Sequence, residues 1–259
     1  MTDPVVIAVA NQKGGVGKTT TAVNLGAELA ARGKSTLIID LDPQGNASTG
    51  VGCPVKGRDA TSYDVLAGRY DLQQARTGTS IDNLSLIPST PDLSSGDIDF
   101  STRPDRIRLL KAAIDRLNDQ SYVLIDCPPA LGLLTVNALV AADSVLVPLQ
   151  AEFYALEGLS QLLMTVREVR QGANPALRLD GVVLTMYDGR NNLSQQVEAD
   201  ARATLGELVY KTIIPRNVRI SEAPSHGLPV TMYDPASTGS RAYKAFADEF
   251  LNRQKEMQQ

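Results

Sequence analysis

The sequence predicts an α/β fold, a doubly wound and mostly parallel sheet with helices on both faces. Three observations carry this. Short apolar runs of strand length, Val5–Val9, Thr36–Ile39 and Tyr122–Ile125, are continuous rather than alternating, as strands buried on both faces are. Helical patterns separate such runs along the chain. The runs end in a glycine-rich loop or in aspartate, which puts polar groups at strand carboxyl ends, where parallel sheets bind ligands. No Pro/Gly/Ser-rich linker and no internal repeat divides the 259 residues, so one nucleotide-binding domain over 1–259 is expected.

The first strand runs into Ala10-Asn11-Gln12-Lys13-Gly14-Gly15-Val16-Gly17-Lys18-Thr19-Thr20. The pattern G-x-x-x-x-G-K-[ST] would need glycine where Gln12 stands; the loop is instead K-G-G-x-G-K-T-T, with Lys13 at its head. Without Cβ atoms, Gly14, Gly15 and Gly17 let the backbone around Val16 curl and aim its N–H groups at phosphate. The loop opens a helix whose first amides and dipole also favour an anion. Lys18 reaches the β and γ phosphates, the Thr19 hydroxyl ligates Mg²⁺, and Thr20 adds a donor. From Thr21 on, Ala22, Leu25, Gly26 and Leu29 recur at three- and four-residue spacing, an amphipathic helix that Gly33 ends.

The second strand leads into Asp40-Leu41-Asp42-Pro43-Gln44-Gly45-Asn46. Asp40 and Asp42 leave a strand end and are expected to face the phosphate-and-metal site; a solvated turn is the alternative. Residues Gly52 to Gly96 are richer in turns and polar side chains and read as an excursion on the same domain. The third strand ends at Asp126, and Cys127-Pro128-Pro129 prevents its continuation. An acidic residue there suits a position near Mg²⁺. Cys127 reads as a small buried residue.

Composition narrows the function further. A single histidine, His226, leaves little material for a histidine metal site or a Ser-His-Asp triad. Two distant cysteines without metal-ligand spacing suit a reducing cytoplasm. No signal peptide is visible, and no apolar run approaches the length of a membrane span. The net charge of −4 does not exclude nucleic acid, because basic residues can cluster. Arg167, Arg170, Arg178, Arg190, Arg202, Lys211, Arg216 and Arg219 fall in the second half.

These motifs closely resemble those of the ParA/Soj proteins that partition bacterial chromosomes and plasmids. These belong to a wider P-loop NTPase group with a deviant Walker A motif that includes MinD. The matching stretches are KGGVGKTT (Lys13–Thr20), DLDPQGN (Asp40–Asn46), LIDCPP (Leu124–Pro129), VPLQAEFYALEG (Val147–Gly158), LTMYDGRNNLS (Leu184–Ser194) and IIPRNVRISEAPSHG (Ile213–Gly227), spread over nearly the whole chain.

The resemblance implies an ATPase using ATP and Mg²⁺, with slow intrinsic turnover. Lys13 would cross to the partner's nucleotide in an ATP-bound homodimer. Lys18 would hold the phosphates, and Asp42 would position the attacking water. Thr19 would bind the metal directly, and Asp40 and Asp126 through water. Met186, Pro215 and Asn217 would flank adenine, Pro215 through its backbone carbonyl. Arg190 and Arg219 would touch nonspecific double-stranded DNA, and a ParB-type protein would stimulate hydrolysis. The location implied is a bacterial cytoplasm, on the nucleoid. The N-terminal helix-turn-helix of larger plasmid relatives is not expected, because the phosphate loop begins almost at once.

Three rivals stand beside this reading, the first a scaffold that binds nucleotide and pairs without hydrolysis, against which Asp42 argues. A MinD-like ATPase would end in a basic amphipathic membrane helix. Here Tyr243, Phe246, Phe250 and Leu251 share one face, but the polar residues mix both charge signs, which favours docking on the domain's own core and no membrane partner. A reductase like the nitrogenase iron protein would need cluster-bridging cysteines, which Cys53 and Cys127 match poorly.

Overall fold

The computed structural model describes residues 3–152 and 155–257, the side chains of 155–157 excepted. Residues 153 and 154 of the Val147–Gly158 motif therefore lie outside the described residues. Seven strands form one sheet: β1 (Val5–Val9), β2 (Thr36–Asp40), β3 (Thr77–Gly78), β4 (Leu84–Ile87), β5 (Tyr122–Asp126), β6 (Ser144–Gln150) and β7 (Arg178–Thr185). Their order is β3-β4-β2-β5-β1-β6-β7, and only the β3–β4 pair is antiparallel.

The predicted strand ends hold, and the continuous apolar runs have their expected cause. In β1, Val6 and Ala8 pack into one core, and Ile7 and Val9 into the other. The first core is covered by helices that include Leu133–Ala141 and Ala155–Gln171, through Ala138, Leu139, Leu162 and Val166. The second is covered by α1 (Lys18–Ala31) and the C-terminal helix (Thr238–Met257).

Two expectations need correction. The helix after the phosphate loop starts at Lys18, and it is not amphipathic: every residue from Thr21 to Ala30 is buried. The sheet covers one side and the C-terminal helix another, through Tyr243, Phe246 and Phe250, so no face is left for water. Leu251 lies at the margin of that contact, only partly buried. The helix stops at Gly33 as expected: the Lys34 N–H bonds back to the Leu29 carbonyl, and that of Gly33 to Ala30. The second correction concerns residues 52–96. They are no mere excursion, because β3 and β4 within them extend the sheet beyond β2, with Leu84, Leu86 and Ile87 buried.

Candidate nucleotide site

Strand register assembles the site. β1 and β2 flank β5, and both reach its carboxyl end: Asp40 of β2 and Val9 of β1 each pair with Asp126. The glycine-rich loop leaves β1 directly beside these carboxylates. Gly17 caps α1 in the left-handed region at φ 88°, a conformation that costs glycine nothing, and supplies no side-chain acceptor to the first helical turn. First-turn amides at such an end are available to an anion.

Lys18 lies over the loop, buried, its Nζ donating to the Lys13 carbonyl at 3.1 Å. Burial lowers its pKa, against the attraction of Asp126 and Asp42. Asp126 is fully buried, and among the described residues neither carboxylate oxygen accepts a hydrogen bond of good geometry, although the Thr19 hydroxyl lies near enough to interact. Burial, and then the charge of Asp40, raise its pKa well above the ordinary carboxylate range, while Thr19 and Lys18 beside it oppose the shift. Asp40 is satisfied differently: its Oδ2 accepts from Ser48 N at 2.8 Å and Ser48 Oγ at 2.6 Å, and its Oδ1 accepts from Asp42 N at 3.2 Å. Burial still pushes it up to about 6. Asp42 is buried too, its Oδ1 accepting from Gln44 N at 3.0 Å. The solvated-turn alternative for Asp40 and Asp42 therefore fails.

Lys13 points elsewhere. Its Nζ donates to Glu152 Oε2 rather than toward Asp126. Cys127 is buried, its thiol pushed up by that burial, which leaves it unreactive.

A cavity of about 240 Å³ adjoins the loop, lined by Gly17, Thr20, Thr185, Met186, Pro215, Asn217 and Tyr243 among others. All three residues expected around adenine thus meet in one place, beside the start of α1. Asn217 is partly committed: its Oδ1 accepts from Arg219 N, and its Nδ2 donates to Thr238 Oγ1. A larger cavity of about 710 Å³, between Leu179–Asp180 and the end of the C-terminal helix, is lined by Lys211 but by none of the residues expected to bind nucleotide or metal.

A bridge between Tyr187 and Pro215 brings the two arginine-bearing segments together. Arg190 is 91 % exposed and pairs with Asp188 at 2.9 Å, and Arg219 pairs with Glu222 at 2.8 Å and Asp234 at 3.3 Å. Of the wider basic set, Arg178 sits at the far end of β7 from Thr185, and Arg202 is held by Glu198 and the Tyr210 carbonyl.

Sequence reasoning missed Ser48, which fixes Asp40, and Thr185, whose Oγ1 donates to the Val16 carbonyl at 2.8 Å and so anchors the loop to β7. Thr185 carried a signal: like Asp126, it is a polar residue ending an apolar run. Ser48 carried none.

Residues 5–179 match a family described as AAA domain. The chain is 52% identical to the chromosome partitioning protein ParA of Caulobacter vibrioides, over 98% of this chain and 96% of that protein. It is 50% identical to the sporulation initiation inhibitor protein Soj of Bacillus subtilis, over 94% and 97%. Its fold is similar to the crystal structure of cobyrinic acid a,c-diamide synthase from Mycobacterium smegmatis with bound ADP and magnesium, at a TM-score of 0.85 and 38% identity over 97% of this chain and 96% of that one. Near-full-length identity of this order, on a sheet whose strand ends carry the loop and its aspartates, leaves one conclusion: the chain belongs to the ParA/Soj family of chromosome-partitioning ATPases.

Proposed function

We propose that this ATPase uses ATP and Mg²⁺ to pair two copies of itself, that the pair holds nonspecific double-stranded DNA, and that a ParB-type protein stimulates hydrolysis and so releases it. The observation that carries the nucleotide site is the buried carboxylate of Asp126, without a hydrogen bond of good geometry among the described residues, beside Lys18 and Thr19. Such a group is costly without a partner and suits a hydrated dication. Bound Mg²⁺ would neutralise phosphate charge. Thr19 would hold it directly, and Asp40 and Asp126 through water.

The roles of the other residues follow from their chemistry. Residues Lys13 to Thr20 enclose the phosphates, with Lys18 on the β and γ groups. Met186, Pro215 and Asn217 bound the adenine, Pro215 accepting from its amino group. Asp42 accepts a hydrogen bond from the attacking water and orients it. Lys13 reaches the partner's nucleotide, a cation delivered only on pairing. Arg190 and Arg219 contact DNA phosphates, doubled in the dimer, which raises affinity steeply through counterion release. The protein works in the bacterial cytoplasm, on the nucleoid, as one domain.

The test is dimerisation and DNA retention with ATP, ADP and no nucleotide, alongside phosphate release by Asp42→Ala. ATP alone should give dimers that hold DNA. Asp42→Ala should dimerise and stay on DNA without turnover. Equal DNA retention with ADP would remove the nucleotide switch, and normal hydrolysis by Asp42→Ala would move the water-positioning role, with Asp40 next.

A further inference from the structure

Arg58 is buried among exposed neighbours. Residues 54–57 and Asp59 face solvent, but Arg58 is 7 % exposed, and among the described residues Lys18 is the other buried cation. The phosphate loop accounts for Lys18. Nothing in the nucleotide cycle described above accounts for Arg58. Its hydrogen bonds all go to uncharged acceptors: Nε and Nη2 to the Cys53 carbonyl at 3.3 and 2.9 Å, Nη1 to the Ser89 carbonyl at 2.8 Å, and Nη2 to Thr49 Oγ1 at 2.9 Å. Burying a guanidinium without a counter-charge is costly. The return is a planar fork that bonds in several fixed directions at once, which lysine cannot do.

Those directions converge on the acidic turn. The Thr49 hydroxyl that accepts from Arg58 donates to the Gly45 carbonyl at 3.2 Å, and the Gly45 N–H bonds to the Asp42 carbonyl at 2.9 Å. Ser89, whose carbonyl Arg58 binds, gives its N–H to Ser48 Oγ at 3.1 Å, and Ser48 holds Asp40. The guanidinium also lies close against the turn: a Cβ on Gly45 would stand 2.1 Å from Arg58 Nη1. Gly45 is at φ 64°, so space and backbone both require glycine there.

We propose that Arg58 is a positioning residue for hydrolysis, holding the Asp42–Gly45 turn through Thr49 and Ser89 so that the Asp42 carboxylate keeps its aim. This rests on the water-orienting role proposed for Asp42. A phosphate cradle built from Lys13 to Thr20 does not depend on Arg58, so binding and turnover should separate.

The experiment compares Arg58→Lys, Thr49→Val, Thr49→Ser and Asp42→Ala in the full chain. It measures single-turnover phosphate release from ATP and Mg²⁺, affinity for a fluorescent ATP analogue, and thermal unfolding. Arg58→Lys should lose roughly tenfold or more in turnover with analogue affinity within about twofold. Thr49→Val should lose about threefold, and Thr49→Ser should restore it. Wild-type turnover in Arg58→Lys, with Asp42→Ala inactive, overturns this inference alone. An active Asp42→Ala removes the reading beneath it. Parallel losses of affinity and thermal stability across Arg58→Lys and Thr49→Val would reduce Arg58 to a folding role. If Arg58→Lys does not fold, the Thr49 pair decides: equal turnover in Thr49→Val and wild type overturns the proposal.

Discussion

Lys13 Nζ lies 2.6 Å from Glu152 Oε2, so the lysine at the head of the phosphate loop is held by its own chain. Gln150 Nε2 bonds the same carboxylate, and Asn11 Oδ1 fixes the Lys13 backbone N–H at 3.0 Å. A lysine that must reach a partner's nucleotide has to leave this pairing first.

Glu152→Gln should therefore favour ATP-dependent dimers, and modestly. Both side chains are about two-fifths exposed, and exposed pairs contribute about 0.2–1 kcal/mol, so the dimerisation constant should improve no more than about fivefold. Lys13→Ala should bind ATP and fail to pair. Light scattering with ATP checks both; weaker pairing in Glu152→Gln would mean that Glu152 supports the dimer.

Lys18→Ala should weaken ATP binding by at least about tenfold, the loss of charge-assisted bonds to phosphate. Ligand-free stability should not fall, because burial already disfavours the Lys18 charge in the native state. Calorimetric titration and a melting curve on the same sample separate these outcomes; unchanged ATP affinity would reject the loop assignment.

The aspartate pair predicts a pH dependence of the ligand-free protein. Asp40 rises from an ordinary 3.8 to about 6, and Asp126 rises too, both first of all through burial. A raised native pKa means that stability is full below the unfolded value and is lost as pH climbs through the native one. The cost should therefore grow between about pH 4 and 7. Asp126→Asn places a donor beside Asp40 and should stabilise the ligand-free chain at pH 7 by roughly 1–3 kcal/mol, with the gap closing toward pH 4. The same substitution should forfeit the stabilisation that ATP and Mg²⁺ give the wild type. A wild-type–variant difference that stays flat with pH would contradict the assigned shifts.

Arg219→Ala should reduce DNA binding for all sequences alike, because phosphate contacts carry no base readout. The salt slope should flatten by roughly two for the dimer, one contact per subunit. Arg190→Glu with Arg219→Glu should abolish retention while ATP-dependent pairing persists. A salt titration with dimerisation checked in parallel tests this; full retention by a dimeric double variant would shift attention to Arg167, Arg170 and Lys211.

What the sequence disclosed depended on how local each signal was. β1, β2 and β5 were legible because continuous apolar runs mean burial on both faces, and Asp40 and Asp126 were legible because a carboxylate at the end of such a run is conspicuous. The burial of α1 on all sides was not, since its second cover comes from residues beyond Thr238. β3 and β4 hid in a polar stretch whose order comes from pairing with β2. Arg58 looks like any loop arginine, and only the carbonyls of Cys53 and Ser89 reveal it as interior. The pairing of Lys13 with Glu152 spans 139 residues and has no sequence signature.

The docking of the C-terminal helix on α1 also bears on synthesis. Tyr243 lines the cavity beside the phosphate loop and approaches Thr21 across 222 residues of chain. A ribosome therefore makes the phosphate loop long before the wall behind it. Until the Thr238–Met257 helix emerges, α1 has an uncovered apolar side and the cavity beside the loop lacks that wall. If that cavity takes the adenine as proposed, a nascent chain in that state cannot enclose it, and a half-made copy should not bind ATP as the finished protein would.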